Sequence, residues 1–559
     1  MSASTKKKLR KEQNLAQLTE KQLAEQKEAK KLKTTSIIFA VVILAILVTG
    51  LVVMSIGAYN NSGIVQRNTA ALTVGEHKLS ATELNYFYMD GINSFYQEWY
   101  EAYGDYTATY LMFMAGLDVT KPLNQQTYDE EAGTTYADYF AEAAVNSAVS
   151  AYTAYDLAIA AGYGPAQLDE DTIEMTMSNI ATYAVLYNYS STEAYLKALY
   201  GNGATEKTFR NYLEVISVSN AHLSRTYEGF TYDEATLSAY NEEHFNDFSS
   251  FTYNTFTLNP STFMVCTAKE GEENHVHSDL ENETALAAAK AAADSILAAN
   301  PTDAESFNAA IQALDAYKEN ANAVCSEVKD LMFSDVTNEK LGAWLTEDGR
   351  KAGDMTILTN ETTSTDADGK ETTTVSSYTV VVMIERNDNN MELVNVRHIL
   401  KSFTGGTTDD YGTTTYSEAE KNASLEAIKL LEESWKGLGA TEEVFADLAK
   451  ANTTDTGSAS NGGLYENVYP GQMVDTFNDW CFDESRQVGD SDIVETTYGY
   501  HLMYFVGRTG TTFRNYMIEN TLRNEEYNNW ITEMNENAEY TVHDTSKLNL
   551  SMILSNSAN

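Results

Sequence analysis

A chain of 559 residues that is 43% hydrophobic and contains 36 tyrosines can build several packed domains, which argues against wholesale disorder. Its net charge of −44 would repel a phosphate backbone, so nucleic-acid binding is not expected. The three cysteines include no C-x-x-C motif and give no support for a zinc or thioredoxin-like site, and a Cys266–Cys325 disulfide is left open.

The chain begins with a basic segment that is followed by an apolar one. Residues 1–34 carry ten Lys or Arg and four Glu, and residues 37–58 carry no charge. An apolar run of this length can cross a bilayer, and the positive-inside rule places the basic side in the cytoplasm. We therefore predict a cytoplasmic segment at 1–34, a transmembrane helix at 35–58, and a single-pass protein of the cell membrane with the bulk of the chain extracytoplasmic. A signal peptide cleaved near Ala58 is the alternative.

Residues 71–247 are predicted to form a mainly helical domain. Residues 71–79 are typical of a strand-turn-strand, and Ser80 with Glu83 forms a capping box that starts a helix. This helix has an aromatic stripe, which is typical of an ordinary core but would also suit a groove for unfolded segments. The stripe consists of Tyr86, Phe87, Tyr88, Phe95, Tyr96, Trp99, Tyr100 and Tyr103. Further helices are expected at 141–161 and across 171–228.

Parts of this region resemble a known family of folding factors. Residues 74–80, the following Glu83 and the later Tyr200-Gly201 are similar to the N-terminal domain of extracytoplasmic foldases of the PrsA and SurA type. The resemblance implies a domain that cradles client polypeptides and is completed by a helix from the far end of the chain. A helical stretch within residues 510–540 would supply that helix.

An internal repeat organises the residues that follow. The repeat predicts two domains that are built alike, at 248–388 and 392–509. The matching residues are Trp344, Arg350, Gly353 and Asp354 in the first copy and Trp480, Arg486, Gly489 and Asp490 in the second.

The second copy carries a strand-like motif with one histidine near each end. These motifs are V-R-H-I-L at 396–400 and Y-G-Y-H-L at 498–502. Between them lie N-G-G-L at 461–464, G-Q-M at 471–473, and Phe477. A single histidine among apolar residues is usually a satisfied core residue. Two such histidines that are separated by about the length of a small domain point instead to a functional site.

In this order and at this spacing, the motifs resemble the parvulin family of peptidyl-prolyl isomerases over residues 395–508. The resemblance implies an isomerase that requires neither a cofactor nor a metal. The residues expected to be catalytic are His398, Asp455, His501 and Thr496, and those expected to bind substrate are Leu464, Met473, Phe477 and Tyr498. Tyr498 departs from the small residue that many family members have at that position.

These residue types suit rotation about an Xaa-Pro bond, which faces a barrier of about 18–20 kcal/mol and breaks no covalent bond. An apolar pocket that grips the proline ring and excludes water favours the twisted amide over both planar forms. A histidine pair that shares hydrogen bonds with Thr496 and Asp455 would fix the tautomers and the local charge.

The first copy lacks the residues of this chemistry. Thr255 and Thr379 stand where the second copy has its histidines, and Thr337 and Leu341 replace Met473 and Phe477. We interpret the first copy as a scaffold or client-binding domain without isomerase activity. A His275-Val276-His277 motif could ligate a metal, but its many acidic neighbours favour a solvated loop, so no metal is predicted.

Together these predictions describe an α+β protein. It has an N-terminal membrane helix, a mainly helical chaperone-like domain completed by a C-terminal helix, and two parvulin-like α/β domains with small antiparallel sheets, the first of them degenerate, before a tail at 541–559. It would isomerise Xaa-Pro bonds in newly exported, unfolded polypeptides and chaperone them, with a homodimer as an open alternative. The alternative function is a non-enzymatic holdase or assembly scaffold that only binds unfolded polypeptide.

Overall fold

The computed structural model describes residues 63–168, 170–266, 276–365, 369–409 and 412–549. These residues divide into two units. The helical unit contains 63–231 and 521–549, and the two-sheet unit contains Tyr232–Asn520. The predicted segments 1–34 and 35–58 lie outside the described residues. Within the described part of the chain, no helix is long and apolar enough to cross a membrane.

Helices and short antiparallel strands build both units. The α-helices are α1 (Ile64–Asn68), α2 (Ala81–Tyr103), α3 (Thr107–Met114), α4 (Tyr136–Ala160), α5 (Glu170–Leu186), α6 (Thr192–Tyr200), α7 (Glu206–Gly229), α8 (Glu234–Glu243), α9 (Asp279–Ala299), α10 (Ala304–Gln312), α11 (Glu339–Leu345), α12 (Glu418–Gly437), α13 (Glu442–Asn452), α14 (Thr456–Ala459), α15 (Asp475–Phe482) and α16 (Phe513–Glu536). The strands are β1 (Ala70–Val74), β2 (His77–Ser80), β3 (Thr127–Asp129), β4 (Thr134–Thr135), β5 (Ser250–Leu258), β6 (Ser326–Met332), β7 (Met355–Thr365), β8 (Glu371–Asn387), β9 (Glu392–Ser402), β10 (Thr407–Thr408), β11 (Thr414–Thr415), β12 (Leu464–Val468), β13 (Ser491–Thr496), β14 (Gly499–Thr512) and β15 (Tyr540–Val542). The mixed α+β composition agrees with the predicted class.

The helical unit starts as the local sequence signals predict. The hairpin β1–β2 leads into α2, where Ser80 Oγ accepts from the backbone N–H of Glu83 and the Glu83 carboxylate accepts from the N–H of Ser80 at 2.7 Å. This reciprocal pair satisfies two donors that a helix start would leave unpaired. The first half of α2 then buries Tyr86, Phe87 and Tyr88 in the core of the unit.

Residues from the C-terminal end complete this unit. Strand β15 pairs with β1, with Leu72 opposite Val542, and the hydroxyl of Tyr227 on α7 donates to Asn524 Oδ1 at 2.9 Å. Leu548 is 5% exposed within the core. Residues 541–549, assigned above to a tail, are therefore part of the helical unit, because backbone pairing and one buried leucine hold them there.

The two-sheet unit contains two four-stranded antiparallel sheets with the same strand order and register. The first sheet runs β6-β5-β8-β7 and the second runs β12-β9-β14-β13. The matching pairs are Thr255–Val381 and Thr257–Thr379 in the first sheet, and His398–Met503 and Leu400–His501 in the second. Thr255 and Thr379 thus occupy the positions in the first sheet that His398 and His501 occupy in the second.

The repeated Trp/Arg motif forms the same local structure in both copies. The Arg350 guanidinium lies 4.2 Å from the ring centre of Trp344, and Arg486 lies 4.1 Å from that of Trp480. In each copy the arginine Nε–H also donates to the carbonyl of that tryptophan, at 2.9 and 3.2 Å. These contacts fix the loop after α11 and after α15, so the motif serves the fold rather than a site.

A buried arginine joins the two ends of the two-sheet unit. Arg514 is 2% exposed. It donates to the Asp388 carbonyl at 2.6 Å, to Asn241 Oδ1 at 2.8 Å and to Ser249 Oγ at 2.8 Å. One side chain near residue 520 is therefore tied to residues near the start of the unit.

Strand alternation gives the second sheet two different faces. One face packs beneath α15 through Val394, Val396, Met503, Phe505, Phe477 and Trp480. The other packs beneath α12 and α13 through Ile399, Leu502, Tyr504, Ile428, Trp435 and Phe445. His398 and His501 share the first face, because each lies two residues from a member of that cluster on its own strand.

Replacing Asn254 with leucine is expected to stabilise the protein by about 1–2 kcal/mol. Asn254 lies in the first sheet at the position that Arg397 holds in the second, is 1% exposed, and neither of its amide atoms has a hydrogen-bond partner in the described chain. The midpoint of urea unfolding measures the change. An unchanged midpoint in Asn254→Leu would mean that a buried water satisfies the amide. Asn254→Asp buries a charge and should lower the midpoint.

Candidate active site

Two histidines from adjacent strands form the centre of the site. His398 on β9 and His501 on β14 are 3% and 5% exposed. Their Nδ1 atoms are 2.9 Å apart, and their rings stack at 18° with centroids separated by 5.1 Å. One of these nitrogens must donate the shared hydrogen and the other must accept it.

A carboxylate on one side and a hydroxyl on the other complete a hydrogen-bonded chain. Asp455, which caps α14, lies with Oδ2 2.9 Å from His398 Nε2, and Thr496 Oγ1 lies 2.9 Å from His501 Nε2. A carboxylate only accepts, so His398 donates through Nε2. With both rings neutral, His398 Nδ1 accepts from His501 Nδ1–H, and His501 Nε2 accepts from Thr496. We assign this single direction of donation from the partners.

Two further hydroxyls donate to the same oxygen of Asp455. Ser458 makes a short hydrogen bond to Oδ2, and Tyr465 OH donates to it at 2.9 Å. The Tyr465 ring also stacks on His398, with centroids 4.8 Å apart. The sequence analysis missed both residues. Ser458 could have been found from its i+3 spacing after Asp455, which is typical of a helix start.

The electrostatics of the site favour a neutral His501 and an ionised Asp455. Burial, and then the nearby His398, lower the pKa of His501 well below its ordinary value. Burial alone would raise the pKa of Asp455. The hydrogen bond from His398, together with those from the hydroxyls of Ser458 and Tyr465, outweighs it and holds that pKa well below its usual range. The site therefore holds a fixed negative charge on Asp455 and a neutral imidazole at His501.

Stability is expected to fall by about 1–2 kcal/mol between about pH 7 and 5 because of His501. The folded His501 resists protonation, whereas the unfolded one accepts a proton near pH 6.5, so acid favours unfolding. Asp455 acts at lower pH: its contribution is present above about pH 4 and is lost as the pH falls through its depressed folded pKa. Urea midpoints at each pH measure this, and His501→Asn should flatten the upper part of the curve. An equally steep curve for that variant would assign the effect elsewhere.

An apolar surface lies against the histidine pair. Phe477 on α15 is 2% exposed and meets the rings of His398 and His501 edge-on, at centroid distances of 5.6 and 5.4 Å. Met473 is half-buried and packs in the same cluster. The side-chain oxygen of Gln472 accepts from the backbone N–H of Tyr469 at 3.0 Å, and this hydrogen bond holds the loop that carries Met473. The structure thus brings Met473 and Phe477 to the histidine face.

Leu464 is not part of this surface, which corrects the sequence analysis. It pairs with Arg397 and packs with Ala446 on the opposite face of the sheet, fully buried. Its neighbour Tyr465 points to the histidine face instead, since successive side chains of a strand alternate. Tyr498 lies at the turn between β13 and β14 and is 64% exposed, so its side chain stands at the margin rather than in the surface.

A glycine of the N-G-G-L motif permits close packing against His398. The N–H of His398 donates to the Gly463 carbonyl at 2.8 Å, and Gly463 has φ of +74°. A Cβ at this position would lie 2.0 Å from the His398 carbonyl oxygen. Only glycine tolerates both the conformation and the contact, so the motif fixes the strand that carries the histidine.

The first sheet keeps one hydrogen bond of this network but none of its rings. Asn360 Nδ2 donates to Thr379 Oγ1 at 2.9 Å, in the positions of Thr496 and His501. Leu341 is buried where the second copy has Phe477. The predicted H-x-H motif lies partly outside the described residues, since His275 is not among them. The described residues contain no group of three or more His, Cys, Asp or Glu arranged to hold a metal ion. No disulfide joins the three cysteines.

Comparison with known proteins places the site in a described family domain. Residues 378–508 match the PPIC-type PPIASE domain. Foldase protein PrsA 1 of Listeria innocua is 45% identical over 67 residues, which are 12% of this chain and 23% of the relative. Chaperone SurA of Hahella chejuensis is 31% identical over 127 residues, or 21% of this chain and 29% of the relative.

A solved structure is also similar. The crystal structure of peptidylprolyl isomerase PrsA from Bacillus anthracis shares 19% identity and covers 27% of this chain and 59% of that one, with a TM-score of 0.17. The chain thus spans about a quarter of the length of the curated relatives it matches, such as 23% and 29% for the two above. The family-domain match and the matches to curated sequences confirm the resemblance to the parvulin family and to the PrsA and SurA foldases.

Proposed function

We propose that this chain, which contains a parvulin-type peptidyl-prolyl isomerase domain, is a foldase that isomerises Xaa-Pro bonds in unfolded polypeptides and chaperones them. The observation that carries the proposal is the closed network of His398, His501 and Asp455 beneath Phe477. Such a network can act without a nucleophile, because bond rotation needs only differential binding of the twisted amide.

Each part of the site has a role in this reaction. The apolar surface of Met473 and Phe477 would hold the proline ring and keep water from the amide, which favours the less polar twisted state. The histidine pair would form a rigid polar floor whose hydrogen bonds need no reorganisation as the amide twists. Asp455 would fix the tautomers and place its negative charge at one end of the floor.

The finer organisation is part of the proposal. We assign the first sheet, at 248–388, to a degenerate parvulin-like domain that binds or spaces clients, supported by its register and by Thr255 and Thr379 at the histidine positions. The helical unit would be the client-binding domain. Residues 35–58 would anchor the protein in the cell membrane, with the N-terminus cytoplasmic and the rest extracytoplasmic, supported by the uncharged run and its basic flank.

Cis/trans exchange on short Xaa-Pro peptides tests the proposal with the full chain. Acceleration by the wild type that the His398→Ala/His501→Ala double variant loses would support the enzyme. Asp447→Ala is a matched control, because this carboxylate lies on α13 at the surface and pairs only with Lys450 among the contacts described for it. A folded wild type that gives no acceleration would leave a holdase or assembly scaffold as the function.

A further inference from the structure

The second half of α2 carries aromatic rings that pack against the core of the helical unit but are covered by it only in part. Six rings form a continuous row, which we call the aromatic ladder. In order they are Tyr110, Tyr103, Trp99, Phe95, Tyr139 and Tyr128, and successive ring centroids are 4.3, 5.5, 6.2, 6.5 and 4.2 Å apart. The ladder runs from α3 along α2 and across α4 to β3.

The ladder is open to solvent. Its two ends, Tyr110 and Tyr128, are 40% and 48% exposed, and the four rings between them are half-buried. On α3, Phe113 and Met114 lie three and four residues after Tyr110 and so share its side of the helix. Phe113 is 86% exposed, and Met114 Sδ accepts from the Tyr103 hydroxyl at 3.7 Å. Core packing does not account for such exposure, and a contiguous apolar patch of this kind usually marks an interaction surface. Methionine makes the surface adaptable to different partners.

The stretch of sequence that carries the ladder is rich in carboxylates and poor in basic residues. Burial, then Tyr128 and then Glu98 raise the pKa of Tyr139, which places Glu98 beside the row. Glu101 and Asp105 lie exposed at the α2–α3 end. Between Leu79 and Gly164 the sequence has one basic residue, Lys121, and that side chain is paired with Asp118 at 2.9 Å. The patch therefore combines exposed aromatic faces with a negative field.

We propose that the aromatic ladder binds extended polypeptide segments in which Lys or Arg alternates with apolar side chains. The proposal rests on the proposed chaperone function and names the class of segment it takes. Cations of such a segment would lie over the exposed ring faces, and its apolar residues would pack on Phe113 and Met114. The chain makes the same contact internally, where the Arg225 guanidinium lies 3.6 Å from the ring centre of Tyr163.

Charge decides between this occupant and the alternatives. An anionic lipid surface would be repelled by the carboxylates, as would the acidic bulk of a second copy of this chain, whose basic residues 1–34 are the exception. A cationic segment would be attracted and would associate faster at low salt. The carboxylates thus select the partner, and the rings supply the contact area.

Binding of labelled proline-free peptides to the full chain tests the proposal by fluorescence anisotropy. The probes are 12-residue peptides of alternating Arg and Leu or Tyr, with matched peptides that carry Gln or Glu in place of Arg. We expect Kd to rise about 10-fold from Arg to Gln and further to Glu. Tyr110→Ser/Phe113→Ser should weaken the Arg peptide about 10-fold, and Val185→Ser/Leu186→Ser, at a different exposed apolar site, should not.

Several outcomes would overturn the proposal. Equal affinity for the Arg and Gln peptides would remove the cation preference, and unchanged affinity in the Tyr110/Phe113 variant would move binding elsewhere. A change in sedimentation coefficient in that variant would assign the ladder to a contact between copies. Isomerisation of short Xaa-Pro peptides, measured in parallel, distinguishes the two proposals. Peptide binding without isomerisation would contradict only the proposed enzyme activity. Isomerisation without peptide binding would contradict only the proposed role of the aromatic ladder.

Discussion

Replacing Asp455 with alanine is expected to lower kcat/KM for Xaa-Pro exchange about 100-fold. The carboxylate accepts hydrogen bonds from His398, Ser458 and Tyr465 at one oxygen. Without it, His398 is no longer fixed in the tautomer that lets Nδ1 accept from His501, and the field at the end of the polar floor disappears. Because Asp455 shapes the floor rather than the apolar grip, the loss should fall mainly on kcat.

Two comparisons make the Asp455 result interpretable. Asp455→Asn keeps the shape and an oxygen for the three donors, but it removes the negative charge and turns its NH2 toward the N–H of Gly457. A loss close to that of alanine would therefore assign the effect to the charge. Asp447→Ala, the surface control, should leave activity unchanged. A rise in KM with an unchanged kcat would instead assign Asp455 to substrate binding. Full activity in both Asp455 variants would exclude Asp455 from the mechanism.

Replacing Arg397 with alanine is expected to cost about 3–5 kcal/mol of unfolding free energy. Arg397 is fully buried, donates through Nε and Nη2 to Glu442 at 3.2 and 3.1 Å, and donates through Nη1 to the carbonyl of Gly462 at 3.0 Å. Its removal leaves a carboxylate and a buried carbonyl without this donor and opens a cavity. The shift of the urea unfolding transition measures the loss.

Further variants separate charge from volume at Arg397. Arg397→Met keeps most of the stem, so a cost close to that of alanine would show that the lost hydrogen bonds dominate. Lys436→Ala, which breaks the exposed pair with Glu432, should cost less than about 1 kcal/mol. A loss below about 1 kcal/mol for Arg397→Ala would mean that water or a neighbouring side chain replaces the guanidinium.

Most of the site could be predicted because its signals are local. The histidines lie in strands, and the period of two puts His398 on the same face as Val396 and His501 on the same face as Met503. The exchange of roles between Leu464 and Tyr465 could not be predicted. Which of two adjacent residues faces the site depends on the pairing of β12 with β9, whose register shifts between Tyr465 and Val468.

The same distinction holds for the fold. The Ser80 cap, the strand-turn-strand before it and a helix within residues 510–540 depend on neighbouring residues, and local patterns predicted them. The pairing of β15 with β1 joins residues at opposite ends of the sequence through only three Cα pairs. A strand of three exposed residues has no periodicity that could reveal its partner.

This closure has a consequence for the order in which the chain assembles. Thr73 and His543 are hydrogen-bonded across a separation of 470 residues, so β1 cannot pair with β15 until the residues around His543 have left the ribosome. The two-sheet unit can fold earlier, because all of its residues precede β15 in the sequence. Arg514 then ties the last segment of that unit to its first. The contacts of Arg514 shorten the loop that the pairing of β1 with β15 must close. The entropic cost of closing that loop falls by only about 1 kcal/mol, because it grows with the logarithm of loop length. The benefit of these contacts is therefore kinetic, because a shorter loop closes faster when β15 pairs with β1.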